Sequence, residues 1–375
     1  MTILTTLLLS AALTALGTLA LVSSSLSRHF LDTLDKPNAM HLAPVPRIGG
    51  LPVLLTVGFV VLAALPPHRN PIAWVALSAA VFLGLFSLID DRRGLPPYVR
   101  LTAHIVAAVV VVFGVTSEAM QGALMASELS SVVSSPLGLC LAILGVVWMT
   151  NLYNFMDGAN GLAGFMGLIG FGALAVAAYG AMDVSTGAHT ASQIEGVAIV
   201  CAATSGACAG FLLFNFPAGR VFMGDVGAVF LGFLAGAIGL VGAMQGVWPW
   251  WLPPLVFSPF IVDATVTLLR RVLRRERIWL AHRQHLYHRL ILQCGWSHQR
   301  TALTYAAIML LASAHGLSIV LRSAHNGVPR DTLPLSIPIV WVLIYAGLLT
   351  VAEWQTRQLE LTKTNMSSKQ DQGVR

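Results

Sequence analysis

The sequence predicts an all-α polytopic integral membrane protein with about eleven transmembrane helices, its N-terminus outside and its C-terminus in the cytoplasm. Three observations carry that expectation. Of 375 residues, 56% are hydrophobic and only 10% are charged, against about 25% charged in soluble domains. The mean hydropathy is +0.76, and the apolar residues fall into runs long enough to cross a bilayer. The basic residues, finally, collect on alternate connecting loops.

The runs lie at roughly 3–23, 48–65, 72–89, 101–117, 136–150, 161–181, 194–214, 227–245, 250–269, 301–321 and 333–353. No basic n-region precedes the first, which therefore reads as a retained helix and not as a cleaved leader. Pro66, Pro67, His68, Arg69, Asn70 and Pro71 make a tight turn between the second and third. The fifth is short at its polar end. Orientation follows from Lys and Arg. Arg28, Lys36, Arg47, Arg92, Arg93, Arg100, Arg220, the eight arginines from Arg270 to Arg300, and Arg357, Lys363, Lys369 and Arg375 fall on one face, nineteen in all. Arg69, Arg322 and Arg330 fall on the other. The rich face is expected in the cytoplasm. The opposite loops hold Glu118, Glu128, Asp183 and a tryptophan cluster, Trp248, Trp250 and Trp251, that suits an interfacial belt. Residues 1–355 read as one transmembrane catalytic domain and 356–375 as a polar, disordered cytoplasmic tail. Cys140, Cys201, Cys208 and Cys294 form no metal or disulfide spacing.

Polar clusters interrupt the apolar pattern on the basic face. The densest is NLYNFMDGANG, residues 151–161. Asn151 and Asn154 are three apart and share a helical face, and Asp157 follows three residues later on that face. Gly158 and Gly161 let the backbone come close to something bulky. The first loop, DKPNAMHLAPVPRIGG, offers Asp35, Lys36, Asn38, His41 and Arg47 before the flexible pair Gly49–Gly50, either as a phosphate contact or as a stiff basic connector. Asp90 and Asp91 end an apolar run. They can hold a divalent metal or take a proton from a phosphate, unless Arg92 and Arg93 simply pair with them. In FNFPAGRVFMGDVGA, Asp225 lies between Gly224 and Gly227 as a metal–phosphate ligand or an N-cap. In HRQHLYHRL, a helix would present His285 and His288 together, with Arg289 nearby. No Cys or Glu completes a zinc set there, so a diphosphate anion, or an anionic lipid headgroup, is the expected partner. Asp263 and His104 are the deeper polar residues. Asp263 is expected to pair with Arg270 or another basic group, and His104 to be a packing residue.

Four separated acids, asparagine amides and many cations on one face are the inventory of phosphoryl chemistry, with Mg²⁺ on carboxylates and diphosphate on cations. A nucleotide could arrive from the cytosol and a lipid phosphate from the inner leaflet, so the lipid bilayer is itself a partner. Nothing calls for a nucleic acid. The rival class is a transporter or flippase of an anionic lipid or nucleotide sugar, which needs polar groups lining a path at the midplane. This chain stacks them at one face and has no evident inverted repeat.

DKPN…PVPRIGG, DDRRGLPPYVRL, NLYNFMDGANGLAG, FNFPAGRVFMGD and HRQHLYHRL occur in that order over about residues 30–310. In these motifs the sequence resembles the polyprenyl-phosphate N-acetylhexosamine-1-phosphate transferases, the family of the phospho-MurNAc-pentapeptide transferase and the enzymes that start O-antigen and teichoic acid synthesis. The resemblance implies transfer of a sugar 1-phosphate from a UDP-N-acetylhexosamine to undecaprenyl phosphate, with release of UMP, at the bacterial cytoplasmic (inner) membrane. It implies Mg²⁺, with Mn²⁺ as substitute. By resemblance, Asp90 deprotonates or positions the lipid phosphate and Asp91 is its partner. Asp225 is the principal metal ligand, and Asn151, Asn154 and Asp157 line the nucleotide–metal site, with Asn151 and Asp157 ligating. Asn215 and Phe222 match uridine-binding positions, Arg47 belongs to the first-loop motif on the substrate side, and His285, His288 and Arg289 match a loop that contacts the diphosphate or sugar. The chain departs from the pattern at Tyr287, where the family loop often carries a histidine, at Met40, near where an arginine is common, and at Asn160, where some members have a second aspartate. The form of the basic loop looks closer to O-antigen initiators than to the peptidoglycan enzyme. A homodimer is known in the family, and nothing in the sequence specifies one.

Overall fold

A computed structural model describes residues 1–25, 30–32, 45–120, 128–182, 188–277, 280, 282–326, 333–351 and 353–354. Arg28, Asp35, Lys36, Asn38, Met40, His41, Asp183, Arg330 and the tail 356–375 lie outside them, so the expectations placed on those residues do too.

The helices fall where the apolar runs do. In chain order they are α1 (Ile3–Ser23), α2 (Gly50–Ala64), α3 (Pro71–Arg93), α4 (Pro97–Met120), α5 (Glu128–Val133), α6 (Pro136–Phe155), α7 (Leu162–Met182), α8 (Ala188–Asn215), α9 (Gly224–Met244), α10 (Leu252–Val256), α11 (Ser258–Leu273), α12 (Leu286–Leu292) and α13 (His298–Asn326). A final helix, α14, is Ser336–Val351. Eight among the described residues are long and apolar enough to cross a membrane, while α2 and α14 are apolar but shorter. The chain is a multi-pass membrane protein.

Local chemistry sets the boundaries. Asn70 accepts from the Ala73 N–H at 3.1 Å and precedes Pro71, and Ser135 accepts from the Gly138 N–H at 3.0 Å and precedes Pro136. Each is a polar cap with proline at the first helical position, where the missing N–H costs nothing. The Pro66–Pro71 segment is the tight turn expected, with one 3₁₀ turn at Pro67–Arg69.

The centre of the bundle is α9, buried over nearly its whole length, with α3 and α6 against it; α8 is packed between α1 and α7. Helix α1 turns Leu4, Leu8, Leu16 and Leu19 outward and buries Thr6, Ser10, Thr14 and Thr18. That is the arrangement a lipid solvent permits, because small polar side chains let helix backbones approach while leucines face acyl chains.

Two expectations about the ninth run change. It is two helices, α10 and α11, broken at Phe257 because Pro259 follows, with no N–H to continue the ladder. Ser258 stitches the break by donating to Leu255 O at 2.5 Å. The tryptophans ahead of it are not all a belt. Trp250 is exposed, but Trp248 and Trp251 are buried, and the Trp248 indole donates to Gly239 O at 3.0 Å. A ring whose N–H finds a partner inside is held as core.

Candidate active site

The described parts of the motif-bearing stretches, residues 45–49, 156–161, 216–223 and 282–297, meet at one end of the bundle, and the α3–α4 turn lies there as well, with Arg92 over the Phe30 ring at 4.9 Å. The first and fourth motifs are bonded together. A two-residue antiparallel sheet pairs β1 (Leu31–Asp32) with β2 (Val45–Pro46). Phe222 N–H donates to Pro46 O at 2.8 Å, Gly49 N–H to Phe222 O at 2.9 Å and Gly50 N–H to Met223 O at 2.8 Å. A Cβ on Gly50 would collide with the backbone of Gly227. The Gly49–Gly50 pair therefore serves close packing between α2 and α9. It is not a flexible phosphate cradle, because its N–H groups are already used. The contact sets Arg47 beside Asp225, NH2 to Oδ1 3.1 Å. Asp225 lies in the first turn of α9 and Met223 holds the N-cap position, so Asp225 is not the cap. Its side chain keeps 19% exposure, enough to meet a ligand. Phe222 is half-buried beside it.

The second cluster ends α6. The helix stops at Phe155, so Asp157 lies in the following turn and not on a helical face with the asparagines. Asn151 donates from Nδ2 to Val147 O at 2.7 Å and lies 3.4 Å from His104 Nδ1, and both contacts use the amide nitrogen, not Oδ1. Asn154 is half-buried one turn on. His104 on α4 is thus more than packing: it touches the motif. The bulky group that the glycines accommodate is Tyr287. A Cβ on Gly158 would collide with its hydroxyl, which donates to Phe155 O at 3.1 Å. Burial holds the Tyr287 phenol well above its usual pKa, so it stays a donor.

Asn215 differs from its expected role. It is buried, accepts from Gly161 N–H at 2.6 Å and donates to Val221 O at 2.8 Å. Its amide clamps two loops together. Asn160 reinforces the clamp by donating to Pro217 O at 3.3 Å.

The adjacent acids at the end of α3 part company. Asp90 is buried, accepts from Leu95 N–H at 2.8 Å and pairs with Arg100 NH1 at 3.3 Å. Asp91 is exposed. Asp90 therefore holds the α3–α4 turn with one oxygen and meets a cation with the other.

The histidine loop hangs on Asp263. His285 is the N-cap of α12 and His288 lies in its first turn, so the pair comes together with ring centroids 5.9 Å apart. Both are 3% exposed. Burial pushes His288 down to about 3, with the neighbouring His285 adding to the effect, and His282 down to about 4 for the same reasons. These two imidazoles are neutral at physiological pH and offer hydrogen bonds, not charge. The cations nearby are arginines, but not all eight are available. Arg271 is buried and staples the loop through Glu276 at 2.7 Å and Arg277 O at 2.8 Å. Arg270 pairs with Glu353 at 2.6 Å, and not with Asp263. Arg300 stacks over Trp296 at 3.9 Å. Arg289 stays half-buried and Arg283 exposed on the histidine loop.

Asp225, Asp157 and the Asn151 amide are hard oxygen donors. Among the described residues no three His, Cys, Asp or Glu side chains converge into a closed cage. Oxygen donors of this kind are the type Mg²⁺ takes, because it binds through one or two carboxylates and draws its other ligands from phosphate and water.

A protein-family model for glycosyl transferase family 4 matches residues 73–243. Over 341 residues the chain is 30% identical to a decaprenyl-phosphate N-acetylglucosaminephosphotransferase of Mycobacterium tuberculosis H37Rv, covering 83% of this chain and 79% of that one. The chain belongs to glycosyl transferase family 4. Two further relatives flank that match. One is a probable undecaprenyl-phosphate N-acetylglucosaminyl 1-phosphate transferase of Bacillus subtilis 168, 28% identical over 84% of this chain and 82% of its own. The other is a phospho-N-acetylmuramoyl-pentapeptide-transferase of Levilactobacillus brevis, 26% identical over 74% and 84%. The matched segment of the family 4 model runs from α3 through α9 and carries Asp90, Asn151, Asp157 and Asp225.

Sequence reasoning missed three members of this family 4 site: Asp263, His104 and Tyr287 as joints between motifs. The signal for Asp263 was present as an acid inside an apolar run, an expensive placement that needs a partner. Its partners include the backbone N–H groups of Leu286 and Tyr287, which no side-chain pattern displays. The Gly158–Tyr287 joint is open to a double substitution. Gly158→Ala is expected to cut turnover about tenfold by forcing the two loops apart. Adding Tyr287→Phe removes the first colliding atom and is expected to recover part of that loss. Gly158→Ala at parental turnover would show that the contact does not matter.

Proposed function

We propose that this chain transfers a sugar 1-phosphate from a UDP-N-acetylhexosamine to undecaprenyl phosphate at the cytoplasmic face of the bacterial inner membrane, giving undecaprenyl-diphosphate-sugar and UMP. The observation that carries the reading is the convergence of Arg47–Asp225, the Asn151–Asp157 segment, Asp90–Asp91 and the histidine loop at one end of a family 4 bundle. Two of the relatives named above, the Mycobacterium tuberculosis and Bacillus subtilis proteins, carry a polyprenyl phosphate in their names. The arginine-rich form of the basic loop favours a role in starting O-antigen, lipopolysaccharide or a related envelope polysaccharide.

The reaction is an in-line displacement. An oxygen of the lipid phosphate attacks the sugar-linked phosphorus, a new P–O bond forms, the bond to the bridging oxygen breaks, and UMP leaves with that oxygen. Such a step needs positioning and charge neutralisation more than a covalent protein group. Asp90 and Asp91 take or orient the proton of the lipid phosphate. Phe222 offers a ring face to uracil, and Arg289 faces the diphosphate with the neutral imidazoles of His285's loop as donors. Asp225, Asp157 and Asn151 would hold Mg²⁺, with Mn²⁺ as substitute, which when bound neutralises diphosphate charge. Arg47 steadies Asp225.

An apolar groove of about 720 Å³ runs between α6, α9 and the α10–α11 break, lined by Leu141, Gly145, Trp148, Leu152, Gly236 and Trp250 among others. Its Leu152 end lies one residue from Asn151, and its lining suits a polyprenyl tail. The test is UMP release by detergent-purified protein with undecaprenyl phosphate, Mg²⁺ and a panel of UDP-N-acetylhexosamines. UMP that appears only with lipid phosphate and metal both present is the expected result. Folded protein that releases none with any donor, yet moves labelled UDP-sugar or lipid in proteoliposomes, would instead be a transporter.

A further inference from the structure

Among the described residues, the most elaborately bonded buried acid is one that the reaction above does not use. Asp263 on α11 is 3% exposed. Its Oδ1 accepts from Leu286 N–H at 2.7 Å and Thr267 Oγ1 at 3.3 Å. Its Oδ2 accepts from Tyr287 N–H at 3.2 Å and the Tyr305 hydroxyl at 2.6 Å. His285 Nδ1 lies 3.6 Å from Oδ1. One carboxylate therefore ties α11, α12 and α13 together.

The bonds to Leu286 and Tyr287 matter most. Helix α12 has seven residues, and its N-cap, His285, makes no side-chain capping bond. The first N–H groups of a helix need acceptors, and so short a helix has little stability of its own. Asp263 supplies from a neighbouring helix the acceptors that the local sequence omits. The carboxylate lies against His285, and the two N–H groups it holds belong to the next two residues. His288 follows directly, its ring 4.0 Å from that of Tyr287. The direction in which both imidazoles leave the backbone is thus set by a residue more than twenty positions upstream.

We propose that Asp263, buttressed by Tyr305, is the positioning residue of the histidine loop: it caps α12 from α11 and so fixes His285 and His288 on the diphosphate side of the site. The inference rests on the transferase reading above. Asp263 acts through the histidines and touches no substrate.

The test uses full-length protein in detergent. Asp263→Asn keeps the shape but sets an amide N–H₂ against a backbone N–H. The expected result is a fall in kcat of about 30-fold with KM for the UDP-sugar within about threefold. Tyr305→Phe, which leaves both α12 bonds in place, is expected to lose about threefold. In a His288→Gln background, Asp263→Asn should cost less than about threefold more, because residues that act through one another are not additive. Trypsin cleavage after Arg283 in folded protein should speed up in Asp263→Asn, a readout that needs no catalysis. Parental kcat in Asp263→Asn, or the full loss repeated in the His288→Gln background, overturns the inference. If the parent itself releases no UMP, the transferase reading fails separately, and an unchanged cleavage rate at Arg283 then overturns the positioning role on its own.

Discussion

Asp225→Asn is expected to abolish turnover, by about a thousandfold or more, while the protein still folds and extracts as the parent does. Three features of the site converge on that magnitude. Asp225 stands in the first turn of α9, where the helix end favours a negative charge. Its carboxylate faces Arg47 across 3.1 Å and keeps enough exposure to meet a metal–diphosphate group. The α2–α9 contact that places it is made by backbone atoms, so the substitution removes a charge without moving its support. Asparagine keeps one oxygen but loses the charge that would hold a divalent cation, so the Mg²⁺ concentration for half-maximal residual activity should rise as well. The measurement is UMP release across a Mg²⁺ titration. Parental rates with an unchanged metal response would remove Asp225 from the ligand set.

Asp90→Asn is the second large effect, and its logic is different. One Asp90 oxygen accepts from Leu95 N–H, a bond that an asparagine carbonyl can keep. The other pairs with Arg100, a bond that depends on charge. The α3–α4 turn should therefore survive while the capacity to take a proton from the lipid phosphate disappears. The expected outcome is a loss of about 100-fold or more in kcat with UDP-sugar binding intact. Binding by calorimetry and turnover by UMP release separate the two. Asp91→Asn is the natural companion, because Asp91 is the exposed member of the pair. If Asp90→Asn turns over normally and Asp91→Asn does not, the proton-handling role moves one residue along.

The fold was legible because lipid is a simple solvent. A run of apolar residues of sufficient length can only be a helix there, and helices cover all eleven runs. What misled was finer. Proline at 259 breaks the ninth run, and hydropathy averages across that break. Trp248 looked like an interface anchor until a backbone carbonyl partner appeared inside the core. The motifs were visible as polar clusters, and the long-range bonds Arg47–Asp225 and Tyr287–Phe155 show that the first motif meets the fourth and the third meets the fifth. The roles within the motifs were harder to read. Asn215 has the chemistry of a ligand and serves as a clamp, while Asp263 has the look of an oddity and serves as a scaffold. In both cases the deciding partners are main-chain groups, whose direction depends on the completed fold and leaves no trace in residue type.

The Asn215 clamp has a consequence for how a ligand is received. Asn215 joins the loop after α6 to the loop after α8, and Tyr287 bonds the last residue of α6 and lies against Gly158 of that loop. These segments are far apart in sequence and meet only through bonds formed inside the protein. Their ordering is completed when the chain folds, before any nucleotide arrives. Under the proposed transfer, a donor would meet these bonded segments already in place, and would lose chiefly its own rotational freedom and that of a few exposed arginines. Affinity in such a site responds to the rigidity of the donor more than to that of the protein, so a conformationally locked diphosphate mimic should gain more than a flexible one of equal charge.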